Sequence, residues 1–141
     1  MTENSILIID DEMTDRYILK RLLSETGIAG SITEAENGSE GIEFLNNYEE
    51  NRKRLSEDFP PRLIFLDINM PVSNGFDFLD KFADLIKVLD FSSSIVLMYS
   101  SSQRSDEVER ALSYDSVKCF ILKISDSAEK LKAQILEAMA S

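Results

Sequence analysis

The stretch that most constrains this chain is Leu63-Ile64-Phe65-Leu66-Asp67-Ile68-Asn69-Met70-Pro71, with Gly75 close behind. Four consecutive apolar residues end in a carboxylate, and a proline stops any continuation. A run this short and this apolar reads as a strand buried on both faces, as in a parallel sheet. Asp67 then stands where a buried strand opens into a loop, at the edge where open α/β sheets bind ligands. Alone, such an aspartate is more often a cap for the following helix. A second run of the same shape, Ile6-Leu7-Ile8-Ile9-Asp10-Asp11, turns the balance toward a site.

Strands and helices alternate along the rest of the chain. After Ile6–Ile9 comes a helix with Ile18, Leu19, Leu22 and Leu23 on one face, Thr14 or Asp15 as its cap and Gly27 as its stop. Ser31–Ala35 is more polar, as an edge strand should be. Asn37-Gly38 turns into a second helix carrying Ile42, Leu45 and Tyr48. Acid-first pairs four apart, Glu49 with Lys53 and Glu50 with Arg54, favour an overlong second helix followed by a loop, the segment ending at Pro60-Pro61. The charged extension reads as a solvated face.

The helix from Gly75 turns Phe78, Leu79, Phe82, Leu85, Ile86 and Leu89 inward. Ser94–Met98 is the fourth strand, running into Tyr99 and Ser100-Ser101-Ser102. A polar helix from Ser105 has Val108, Ala111 and Leu112 to bury. Asp115 or Ser116 must make the turn before the fifth strand, Cys119–Leu122, because no glycine stands there. Lys123 ends that strand. Asp126 with Glu129 suggests a capping box for a last helix whose inner face is Leu131, Ile135 and Met139. Five β-α units with short connections imply a doubly wound α/β domain, a parallel sheet covered on both faces by right-handed crossovers. The 141 residues are one domain's worth, with none left for a second.

Composition narrows the chemistry. With 26 acidic against 15 basic residues the net charge is −11, which disfavours binding to nucleic acid or anionic membranes. No apolar run is long enough to span a bilayer and no basic segment precedes an apolar stretch at the amino terminus, so a cytoplasmic protein is expected. Cys119 is the one cysteine and reads as a small core residue. There is no histidine, which excludes Ser-His-Asp and Cys-His catalysis and any phosphohistidine intermediate on this chain. What remains is carboxylates, lysine, hydroxyls and a hard metal ion.

In a parallel sheet the strand ends share one edge, so Asp10, Asp11, Asp67, Ser100 and Lys123 can converge. Three carboxylates this close stay ionised only with cations beside them. One Mg²⁺ and Lys123 would balance their charge, and Mg²⁺ suits a site of few carboxylates and several waters. Such a site can take a phosphoryl group on a carboxylate as an acyl phosphate.

These residues, in this order, resemble a response-regulator receiver domain of the CheY-like, single-domain type over essentially the whole chain. The acidic pair is matched by Asp10-Asp11, the phosphoacceptor by Asp67 with Gly75 following, the hydroxyl residue by Ser100 and the lysine by Lys123. The resemblance implies a flavodoxin-like five-stranded sheet of order 2-1-3-4-5 with five helices, spanning residues 1–141 without an output domain. It implies Mg²⁺ held by Asp11, Asp67 and the Asn69 carbonyl, with Asp10 acting through water. It assigns Lys123 and Ser100 to the phosphoryl group, with the small Ser101 leaving access to the acceptor. Ser100 and Phe120 would form a switch that alters the face of the fourth helix, fifth strand and fifth helix.

The expected partners are a sensor histidine kinase or phosphotransfer protein and a downstream protein target. The expected state is a monomer or a phosphorylation-dependent homodimer. One departure stands out: Ile124 follows Lys123 where the family has proline, so a trans or strained bond is expected in place of a cis one. The chain reads as a signalling module and not an enzyme. An Mg²⁺-dependent phosphohydrolase with an aspartyl nucleophile would need an acid two residues after Asp67, where Asn69 stands. A receiver cut from a hybrid kinase is the third reading, against which Met1 and the complete last helix argue for a full-length chain.

Overall fold

In the computed structural model, which describes residues 4–70, 74–101, 104–123 and 127–140, strand and helix alternate as the hydrophobic pattern requires. The elements are β1 (Asn4–Ile9), α1 (Met13–Thr26), β2 (Ala29–Ala35), α2 (Gly38–Asn46), α3 (Tyr48–Leu55), β3 (Leu63–Leu66), α4 (Gly75–Ile86), β4 (Ile95–Ser100), α5 (Ser105–Leu112), β5 (Val117–Leu122) and α6 (Ala128–Ala140). All strand pairs are parallel and the order is β2-β1-β3-β4-β5, as expected.

Alternation along the strands divides the core in two. Leu7 and Ile9 of β1, Ile64 and Leu66 of β3, and Val96 and Met98 of β4 pack with Leu45 of α2 and with Phe78, Leu79 and Phe82 of α4. Their neighbours Ile6, Ile8, Leu63, Phe65, Leu97 and Tyr99 pack on the other face with Leu19 and Leu23 of α1 and Leu131 and Ile135 of α6. The three central strands are therefore buried on both sides, which is why each reads as an unbroken apolar run.

Several local signals hold. Gly27 closes α1 in the left-handed conformation, at φ 76°. Asn37 caps α2 by accepting from the Glu40 N–H. Asp115-Ser116 makes the turn into β5, closed by a bond from the Val117 N–H to the Tyr114 carbonyl. Cys119 is half-buried, and burial pushes its thiol up to about 11.

The second helix departs from expectation. It is two helices broken at Asn47, so six helices are seen among the described residues where five were expected. Asn47 leaves helical geometry at ψ 53°, and the buried Asn51 side chain donates to the Phe44 carbonyl at 2.6 Å. The break swings Tyr48 into an aromatic cluster, edge-on to Phe59 and Phe91 with both centroids at 5.3 Å. Ser56, whose φ is 53°, ends α3 ahead of a single 3-10 turn, and the loop expected there runs on to Pro60-Pro61. The Phe59–Pro60 bond is cis.

Three residues expected inside lie outside: Ile18, Ile86 and Leu112 are all more than two-fifths exposed. Their helices present an apolar stripe wider than the strip each packs against. Asp126 and Ile124, and with them the proposed capping box and the bond after Lys123, lie outside the described residues.

Phe59 joins α2, α3 and the loop after α4, touching Phe44, Tyr48 and Phe91 while almost fully buried. Phe59→Ala should cost roughly 3–5 kcal/mol, read as a lower urea midpoint with an unchanged slope.

Candidate functional site

Strand register builds the site. Ile9 pairs with Leu66, and the Asp67 N–H continues the ladder to the Ile9 carbonyl, so Asp10 and Asp67 emerge side by side. Ser100 pairs with Leu122, and the Lys123 N–H bonds the Ser100 carbonyl at 2.9 Å. Alternation then sorts these groups by face. Asp10 continues the parity of Ile8, Asp67 that of Phe65 and Lys123 that of Ile121, all on the α1–α6 side. Ser100 continues the parity of Met98, on the opposite side with Phe120.

The Lys123 ammonium is the hub. It donates to Asp10 Oδ2 at 2.7 Å and to Asp15 Oδ2 at 2.8 Å, and stands 3.5 Å from Asp67 Oδ2. Asp10, Asp11 and Asp67 each bring a carboxylate oxygen within 4.8 Å of the others. Asp10 and Asp67 are buried and Asp11 is half-buried. Close, hard oxygen donors of net excess charge suit a divalent cation that keeps part of its water shell.

Backbone bonds fix the carboxylates. Asp10 Oδ1 accepts from the Glu12 N–H at 3.0 Å, and Asp67 Oδ1 from the Ile68 N–H at 2.8 Å. Arg16 is buried behind them. Its Nη1 donates to the Asp10 carbonyl at 2.7 Å while its Nε meets Glu34 Oε1 at 2.8 Å, tying the loop to β2. Lys20 shares Glu34, and these two cations hold the Glu34 carboxyl below its ordinary range against a smaller desolvation effect. Gly75 lets α4 start against the end of β3: a Cβ there would sit 2.6 Å from the Asp67 carbonyl, and its N–H bonds the Ile68 carbonyl.

Burial pushes the Asp67 carboxyl up to about 6; the Lys123 ammonium opposes this and the Asp10 charge adds to it. Burial alone would lower Lys123, but its bonds to Asp10 and Asp15 prevail and raise it. Tyr99 lies beneath, its ring centre 5.9 Å from the ammonium, and burial raises its phenol.

The expected residues thus divide. Asp10, Asp11, Asp67 and Lys123 are in one cluster. Asn69 follows in the same loop and is exposed, Ser100 is fully buried, and Ser101 is exposed. Phe120 is half-buried against the core under α5. Ser102 lies outside the described residues. Asp15 and Arg16 were missed as site residues. Asp15 reads as a cap in sequence, yet the α1 N-cap is Glu12, without a side-chain bond. The spacing of Asp15 one turn after Asp11 is the signal that could have found it. Arg16 has none, because its partner Glu34 is known only from the fold.

An open groove of about 600 Å³ borders the loop after β3, lined by Ile68, Asn69 and Met70 on one side and Asp106, Glu107 and Arg110 on the other. Arg110 stacks 4.1 Å from the Phe76 ring centre, and the Tyr114 hydroxyl donates to Asp80 Oδ1, so α5 and its exit are tethered to α4.

Residues 6–135 match the family model described as the response regulator receiver domain. The nitrate/nitrite response regulator protein NarL of Escherichia coli is 34% identical over 129 residues, covering 92% of this chain and 52% of that protein. The chain spans about half the length of NarL and 40% of the length of the Helicobacter pylori chemotaxis protein CheV3, to which it is 35% identical over 135 residues. Among solved structures, the receiver domain of the histidine kinase CKI1 from Arabidopsis thaliana, complexed with Mg²⁺ and BeF₃⁻, aligns with a TM-score of 0.81 at 18% identity, covering 98% of this chain and 91% of that one. The Vibrio cholerae chemotaxis protein CheY4 aligns with a TM-score of 0.72 at 18% identity, covering 97% and 99%. At these identities the structures speak for the fold.

A carboxyl whose folded pKa is raised binds its proton more tightly in the fold than in the unfolded chain. Its ionisation therefore lowers stability as pH rises from about 4 through about 6, by an amount on the order of 3 kcal/mol. In metal-free buffer at pH 7.5, Asp67→Asn should raise the thermal midpoint by several degrees. The gain should shrink toward pH 4, where the native carboxyl is protonated.

Proposed function

Because the chain belongs to the response regulator receiver domain family, we propose that Asp67 accepts a phosphoryl group from a phosphohistidine on a sensor kinase or phosphotransfer protein, and that the change is passed on by protein–protein contact. The observation that carries this reading is the meeting of Asp10, Asp11 and Asp67 with one buried-side lysine at a single sheet edge.

In the transfer, a bond forms between phosphorus and a carboxylate oxygen of Asp67 as the bond to the donor imidazole nitrogen breaks, the electron pair staying on that nitrogen. The nucleophile must be ionised, and above pH 6 Asp67 is. Mg²⁺, when bound, neutralises the phosphoryl oxygens. Asp11 and Asp67 would hold it directly with the Asn69 carbonyl, and Asp10 through water. Lys123, now 3.5 Å from Asp67, needs to move little to bond a phosphoryl oxygen. Ser101 is small and exposed and leaves the approach open.

Ser100 and Phe120 lie on the opposite face from the charged cluster, toward α5. A phosphoryl oxygen drawing the Ser100 hydroxyl toward it would vacate space beside Phe120. The half-buried ring could then turn inward, changing the surface of α5, β5 and α6, the face expected to meet a downstream target.

The test is binding of beryllofluoride, a phosphoryl mimic, followed by ¹⁹F NMR with and without Mg²⁺. Saturable binding that requires Mg²⁺, disappears in Asp67→Asn and shifts amide resonances in α5 and β5 is the expected result. A native protein that binds none would overturn the reading.

A further inference from the structure

The acceptor site contains one carboxylate more than phosphoryl transfer calls for. Asp10, Asp11 and Asp67 balance one dication and Lys123; Asp15 leaves a surplus negative charge. It sits in the first turn of α1, its side chain about one-third exposed, and it takes one of the three ammonium protons of Lys123 at 2.8 Å. With Asp10 taking a second at 2.7 Å, Lys123 stands 3.5 Å from Asp67, a long contact beside the two short ones.

We propose that Asp15 is a positioning residue that restrains Lys123 away from the acceptor and so sets how readily Asp67 takes up a phosphoryl group. This rests on the phosphoacceptor reading of Asp67. The third ammonium proton is left for a phosphoryl oxygen on Asp67, and closing that 3.5 Å gap to a short bond draws Lys123 away from one of its two present partners. Asp10 is buried and fixed by the Glu12 N–H, whereas Asp15 is partly solvated and can exchange the ammonium for water. Asp15 is therefore the partner released. Its charge also opposes any incoming anion, while favouring the cation that precedes it.

Removing the Asp15 charge therefore tightens one ligand without tightening the other, which a loss of structure cannot produce. Asp15→Asn should tighten beryllofluoride binding at saturating Mg²⁺ by about two- to fivefold, the scale of one partly exposed ion pair. The same change should leave Mg²⁺ affinity without beryllofluoride unchanged or weaker. Asp15→Ala should act in the same direction. In the metal-free protein, the Lys123 side-chain ¹⁵N resonance should move in both variants, reporting the lost partner independently of phosphoryl chemistry. Unchanged or weaker beryllofluoride binding in both variants, with native binding intact, overturns this inference alone. A native protein that binds no beryllofluoride overturns the acceptor reading and this inference with it.

Discussion

The ammonium of Lys123 among the carboxylates of Asp10, Asp15 and Asp67 is the interaction on which the rest of the structure depends. Like charges gathered at a buried edge repel, and the fold must spend binding interactions to keep them there. It does so from several directions. Lys123 comes from β5, Arg16 pins the Asp10 carbonyl from α1, and backbone N–H groups hold one oxygen each of Asp10 and Asp67. The compensation is incomplete, since the Asp67 carboxyl still lies well above its ordinary range. A site left short of positive charge is a site prepared for a cation.

The parallel sheet does more than bring strand ends together. Side chains at successive positions point to opposite faces, so the sheet separates two kinds of group at one edge. The charged cluster falls with α1 and α6, while Ser100 and Phe120 fall with α5. The two groups meet where the Lys123 N–H bonds the Ser100 carbonyl. On the α5 side, the Arg110–Phe76 stack and the Tyr114–Asp80 bond tie that helix and its exit to α4.

Away from the site, the charged segment between β2 and β3 owes its shape to aromatic packing. Helix propensity and acid-first pairs favour one long helix through Tyr48 to Leu55. Burying Tyr48 against Phe59 and Phe91 outweighs the cost of a broken turn at Asn47, since Asn51 supplies the donor the break leaves wanting. Tertiary contacts here decide a local structure that local signals read otherwise.

The sequence by itself determined the order of strands and helices, the two-faced burial of β1, β3 and β4, and the identity of Asp10, Asp11, Asp67 and Lys123 as groups sharing an edge. These follow from period, run length and chain order, which are local and additive. Only the tertiary structure decided that Asp15 binds Lys123 and leaves α1 uncapped, that Arg16 is buried behind Asp10, and that Ile18, Ile86 and Leu112 face solvent. Each of those depends on a partner distant in sequence, as Lys123 is from Asp15 and Glu34 from Arg16. A pairing of that kind has no period to read, because it exists only once the sheet has set the distance between the two residues.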